Sequence, residues 1–187
     1  MKMKLLFPLL AGLSLASLAL AAEFNSVQTD KSTLSFVYKQ MGVPVDGRFR
    51  KFAVQLGFDP AKPAAARAAL DLDLAGIDAG SAEANDEVAG KAWFNTKAFP
   101  QARFVSTAVK PLGGNRYEVS GKMTIKGRTQ DVVAPFTFTP QGNAATFEGA
   151  FTLKRADFAI GEGAWADFGT VANEIQIKFR FLASTGK

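Results

Sequence analysis

The stretch Tyr117-Glu118-Val119-Ser120-Gly121-Lys122-Met123-Thr124-Ile125, then Lys126-Gly127-Arg128, then Val132-Val133-Ala134-Pro135-Phe136-Thr137-Phe138 decides the fold. Apolar side chains fall on Tyr117, Val119, Met123 and Ile125, and again on Val132, Ala134, Phe136 and Phe138. Period two places them on one face of each strand, the pattern of a sheet that buries one side. The Lys126-Gly127-Arg128 turn signal between the runs makes them neighbours in a hairpin.

Outward from this hairpin the alternation repeats. Toward the N-terminus it runs through Leu34, Phe36 and Tyr38, then Val43, Val45 and Phe49, with Gly42 and Pro44 at the connection. Between Val43 and Phe58 the apolar parity flips from odd positions to Phe52, Val54, Leu56 and Phe58, which predicts a β-bulge near Arg50 or Lys51. Further strands are expected at Leu70 to Leu74, Phe104 to Val109, Phe147 to Leu153 and Ile175 to Phe181, with turns at Asp59-Pro60, Gly113-Gly114-Asn115 and Gln141-Gly142-Asn143. Ser81 to Gly90 reads as one short helix, capped by Ser81 with Glu83 in its first turn. The aromatic segment Trp93, Phe94, Phe99 and Pro100 that follows must dock against the rest.

About eight antiparallel strands with a single apolar face imply a closed sheet, since closure removes exposed edges. The expectation is an all-β, eight-stranded antiparallel barrel with one or two short helices, formed by residues 23–187 as one domain. Residues 1–22 read separately. Lys2 and Lys4 precede the apolar run Leu5 to Leu20, and small residues at Ala19 and Ala21 suit cleavage after Ala21 or Ala22, as in a secretory signal peptide. Export to the periplasm is therefore expected.

Composition narrows the chemistry. The chain has no His and no Cys, which removes the usual nucleophile, base and transition-metal ligand sets, so neither an enzyme, a metal site nor a cofactor is expected. Net charge is +5 from 22 basic and 17 acidic residues; without Lys2 and Lys4 it is +3, spread without a basic stripe, and nucleic acid is not an expected partner. Asp71 and Asp73 fall on the face opposite Leu70, Leu72 and Leu74 and read as solvated. Gly161-Glu162-Gly163 lacks the third glycine and the strand-to-helix setting of a phosphate loop.

What stands out is the aromatic load, 17 Phe, many on inward parity. Two readings follow. These side chains fill the barrel, or they line an elongated cavity for an apolar chain.

Several stretches carry a resemblance that covers essentially the whole chain after residue 22. They are Ser32-Thr33-Leu34-Ser35-Phe36 with Gly47-Arg48-Phe49-Arg50-Lys51-Phe52 and Phe58-Asp59; Trp93-Phe94-Asn95 with Phe99-Pro100-Gln101-Ala102-Arg103-Phe104; Gly121-Lys122-Met123-Thr124-Ile125-Lys126-Gly127; and Lys154-Arg155-Ala156-Asp157-Phe158-Ala159-Ile160-Gly161. In order and spacing they resemble the YceI-like family of lipocalin-like, polyisoprenoid-binding periplasmic proteins. The resemblance implies an extended lipocalin-like barrel around a tunnel for a long isoprenoid or similar amphiphile, and dimers. Gln40-Met41-Gly42-Val43-Pro44-Val45 resembles a subgroup found alongside membrane b-type cytochromes, which implies such a partner and an isoprenoid quinone as ligand. The chain departs from the family at Lys31, where a His is common, and at Asn85-Asp86-Glu87-Val88, where an Arg-Asp-x-His-Leu run is common.

With that resemblance the expected tunnel lining is Phe36, Tyr38, Val45, Phe49, Leu72, Leu74, Phe94, Phe99, Phe104, Met123, Phe136, Phe138, Phe147, Phe151, Phe158, Trp165, Phe168 and Phe179. Asn85 and Asp86 on the helix, and Arg155 and Asp157 beyond the strand, are the head-group candidates. For Arg155 and Asp157 a second reading stands beside the first, a structural pair bracing their loop.

Overall fold

The computed structural model describes residues 23–186; the expected signal peptide lies outside them. Eleven strands join in one antiparallel sheet: β1 (Phe24–Val27), β2 (Thr33–Gln40), β3 (Val43–Phe49), β4 (Phe52–Gly57), β5 (Arg67–Asp73), β6 (Ile77–Asp78), β7 (Gln101–Gly113), β8 (Arg116–Ile125), β9 (Arg128–Gln141), β10 (Ala144–Lys154) and β11 (Glu174–Thr185). The helix α1 spans Ala82–Ala89, with the Ser81 hydroxyl accepting from Ala84 N–H at 3.1 Å and Gly90 closing it.

Three pairs of these strands are single wall strands with a break. β1 and β2 are separated by a 3-10 turn at Thr29–Lys31, β3 and β4 by Arg50 and Lys51, and β5 and β6 by a second 3-10 turn at Leu74–Gly76. Eleven strands less three joins gives eight walls. The pairings run β4-β5-β7-β8-β9-β10-β11-β2-β3-β6, and because β4 continues β3 while β6 continues β5, the circuit closes. At the opposite end β1 completes the ring, pairing with β11 and bridging to Phe58 through N–H···O bonds of 2.8 and 3.1 Å. A closed sheet has no free edge to pair with another chain.

The parity flip at Arg50 and Lys51 has its cause here. Arg50 N–H bonds Gly76 O and Asp73 N–H bonds Lys51 O, so two residues on one strand face the longer 3-10 turn on the other. The irregularity expected there belongs to both strands of the ribbon. A second one escaped the sequence reading: in β7 the register shifts between Ser106 and Ala108, which moves the inward side chains from Phe104 to Val109. The hairpin turns Met41-Gly42 and Lys126-Gly127 both have positive φ at each position, the left-handed geometry that two-residue turns between twisted strands require.

Inward side chains form two clusters. At the β1 end Phe24, Phe58, Tyr117, Phe136, Phe138 and Phe147 meet ring to ring; Phe58 sits 5.0 Å from Phe138, 5.1 Å from Tyr117 and 5.2 Å from Phe147. This is a packed floor. Above it the rings lie along the wall instead. Phe36 rests on Gly47, Phe104 on Gly121 and Phe179 on Gly149, each glycine lying on the neighbouring strand, where a Cβ would collide with the ring. Because these rings fold back onto bare backbone, the barrel axis stays open.

Candidate functional site: an apolar barrel cavity

That opening is a cavity of about 580 Å³. It runs from the floor residues Phe58, Val109, Phe136 and Phe147, past Leu70, Leu72, Phe104, Met123 and Ile177, to Tyr38, Trp93 and Trp165 beneath α1. The exposed polar residues on its lining are Gln40, Ser81, Glu83 and Glu87 at the helix end, and Arg67 where β5 begins. Its volume lies within the range of small-ligand sites, and its walls are hydrocarbon. Such a space dissolves an apolar chain. Among the described residues no group of three or more acidic side chains is arranged to hold a metal.

Most of the residues expected to line the tunnel do border this cavity: Phe36, Tyr38, Phe49, Leu72, Leu74, Phe94, Phe104, Met123, Phe136, Phe147, Phe151, Phe158, Trp165 and Phe179. Four do not. Phe138 has the inward parity but belongs to the floor, 5.3 Å from both Phe24 and Phe147, below the open volume. Val45 lies near the β2–β3 tip, facing Gly80. Phe99 packs on the outside of the Lys126-Gly127 turn. Phe168 is half exposed and covers the outer side of Arg155, its ring centroid 5.1 Å from the guanidinium carbon.

The head-group candidates need larger correction. Asn85 is turned to the backbone, its Oδ1 accepting from Ala79 N–H at 2.6 Å. Asp86 is exposed and off the cavity, as is Asp157, so neither borders it. Helical periodicity explains the miss on α1: Glu83, Ala84, Glu87 and Val88 form the stripe that faces the lumen, and Asn85 and Asp86 fall beside it.

Arg155 borders the cavity with 2% of its surface exposed, and all five of its N–H groups are engaged. Nε donates to Ala172 O at 3.2 Å, Nη1 to Ile160 O and Gly161 O at 2.9 and 2.8 Å, and Nη2 to Trp165 O and Val171 O at 2.7 and 2.8 Å. No carboxylate pairs with it among the described residues, Asp157 included. The guanidinium lies between the rings of Trp93 and Phe168. Burial lowers its pKa from the ordinary guanidinium value. Arg155 therefore ties the 155–173 loops into one cap over the barrel.

Lys126 adds a second tie, donating from Nζ to Ala159 O at 2.6 Å and to Glu162 at 2.9 Å, and the Lys126 partner lowers the Glu162 pKa. Across the mouth the Trp165 indole donates to Glu87 Oε1 at 2.7 Å, joining the cap to α1. Tyr38 O–H donates to Ala79 O at 3.1 Å, and burial raises its pKa.

Sequence reasoning missed the aliphatic walls Leu34, Val54, Leu56, Ile125, Val132, Ala134 and Ile177, and the indole of Trp93. For most of the aliphatic residues the signal was present: Leu34 shares the parity of Phe36, Ile125 that of Met123, Val132 and Ala134 that of Phe136, and Ile177 that of Phe179, whereas Val54 and Leu56 follow Phe52 and Phe58, which were not among the expected lining. Trp93, in the turns after α1, belongs to no alternating run that could orient it.

A model of the YceI-like domain matches residues 26–183 of this chain. The chain belongs to the YceI-like family. Among YceI-like relatives, a UPF0312 protein of Azotobacter vinelandii is 31% identical over 137 residues, covering 70% of this chain and 69% of that protein. Another from Pseudomonas putida is 35% identical over 127 residues, covering 64% and 66%. The solved structure of Burkholderia cenocepacia BcnA is 48% identical and superimposes with a TM-score of 0.83, over 85% of this chain and all of that one. A polyisoprenoid binding domain from Saccharophagus degradans implicated in plant cell wall breakdown is 14% identical with a TM-score of 0.66, over 89% of this chain and 99% of the other. At that identity the likeness is one of fold. The barrel fold is thus common to this chain and the two solved structures.

Proposed function

We propose that this chain is a non-enzymatic carrier that acts in the periplasm after loss of residues 1–22, holding a long isoprenoid or similar amphiphile in its barrel. An isoprenoid quinone is the ligand that best suits the resemblance of its first hairpin. The observation that carries the reading is the cavity itself: about 580 Å³, apolar along its length, with the aromatic floor at one end. Burial of each methylene contributes about 0.8 kcal/mol, so a few isoprene units would hold a chain firmly. The fold is shared with a domain described as polyisoprenoid binding, which supports the ligand class.

A second reading rests on the β2–β3 tip, where Met41 and Val43 are 78% and 63% exposed. An apolar tip of this kind suits contact with a membrane protein such as a b-type cytochrome, with no obligatory ligand in the barrel. Native mass spectrometry of the protein purified from its producing cell, with organic extraction of anything released, separates the two. One prenyl lipid per barrel supports the carrier. A protein that arrives empty and refuses long-chain prenols and quinones points to the interaction module.

A further inference from the structure

The Nε1–H of Trp93 is the one buried side-chain donor or acceptor without a hydrogen-bond partner among the described residues. Trp93 is 8% exposed and borders the cavity at its helix end, its ring 5.5 Å from the Trp165 ring and 5.5 Å from the Arg155 guanidinium carbon. A buried donor left unpaired is costly, and an acceptor reaching it recovers that cost.

Its neighbours decide what kind of acceptor that is. The Trp165 indole is committed to Glu87, and every N–H of Arg155 is committed to a backbone carbonyl. A phosphate or diphosphate needs several donors, preferably charged, and would find a single neutral one here. Glu83 and Glu87 on the lining near α1 would also repel it. A neutral oxygen needs one donor only.

We propose that Trp93 Nε1–H receives the polar end of the bound chain, and that this end is an uncharged carbonyl oxygen, as on a quinone, ester or amide, rather than a phosphate. The inference rests on the carrier reading and adds to it a residue and a head-group class.

The test uses a prenyl series of one chain length, as the methyl ketone, the hydrocarbon and the diphosphate, with loading of the purified protein measured by native mass spectrometry. The ketone is expected to bind about tenfold more tightly than the hydrocarbon, and the diphosphate more weakly than either. Trp93→Phe should abolish the ketone's roughly tenfold preference over the hydrocarbon, the two probes being compared within the variant. Because the chain has only two Trp, its ¹H–¹⁵N spectrum gives a second readout in the unaltered protein: the Trp93 indole signal should move downfield with the ketone and not with the hydrocarbon. Equal loading of ketone and hydrocarbon with an unmoved indole, or preferred loading of the diphosphate, overturns the Trp93 assignment and leaves the carrier intact. Failure of all three probes to load overturns the carrier reading as well.

Discussion

The two ends of this barrel are built from the same residue types and do opposite things. At the floor, Phe58, Phe138 and Phe147 meet across the axis at 5.0 to 5.3 Å, and β1 passes over them to seal the ring. Along the wall, Phe36, Phe104 and Phe179 lie against Gly47, Gly121 and Gly149 and leave the axis open. Phe36 and Phe179 lie directly opposite their glycines and Phe104 lies diagonal to Gly121, so each ring can fold onto bare backbone; Phe136, also opposite Gly149, is held in the floor by Tyr117 and Phe147. In the wall, glycines on the neighbouring strands make room for the rings beside them.

Truncating one ring in each region separates floor from wall. Phe58→Ala removes a ring that is 1% exposed and touches the other floor aromatics, and should cost about 3–5 kcal/mol in urea unfolding. At the capped end, Arg155→Met strands five backbone carbonyls and should cost about 3 kcal/mol, with hydrogen exchange rising first in the 155–173 loops. Phe36→Ala, in the wall, already borders open volume and should cost about 2 kcal/mol by the same unfolding assay. Equal losses for Phe58 and Phe36 would show that the wall is packed like the floor. Gly47→Ala sharpens the point: the added methyl drives the Phe36 ring toward the axis, so prenol loading should fall while stability drops by only about 1 kcal/mol.

The smallest effect concerns pH. Hydrogen bonds from Arg50, then Arg48, then Gly80 N–H lower the Asp78 carboxyl to about 2. A lowered carboxylate pKa means that its contribution is complete above the ordinary carboxylate range and lost as pH falls from about 4 toward 2. The group is at the surface, so a shallow, salt-sensitive loss of melting temperature in that window is expected, absent in Asp78→Asn.

Much of this architecture was legible in the chain. Period-two runs located the long strands, the Lys126-Gly127 turn fixed a hairpin, and Ser81 and Gly90 bracketed α1. Alternation also assigned the correct side to most lining residues. It could not assign height along the axis, so Phe138, inward but at floor level, was placed in the tunnel. Nor could it orient loops: Phe99, Phe168 and Trp93 lie outside any periodic run, and their positions depend on long-range contacts such as those of Arg155. The pairing expected between Arg155 and Asp157 gave way to backbone carbonyls, because loop curvature brings five of them around the guanidinium while Asp157 points to solvent.

On the carrier reading, the hollow wall region and not the surface takes up the lipid. Ala134 borders the cavity, is 3% exposed and lies between Val132 and Phe136 on the inward face of β9, so Ala134→Phe adds a ring to the lumen itself. Loading of a long-chain prenol, followed by native mass spectrometry alongside thermal unfolding, is the direct measurement. The prediction is one chain per barrel in the unaltered protein and loss of loading in Ala134→Phe, with the melting temperature kept. Undiminished loading by a folded Ala134→Phe would contradict it.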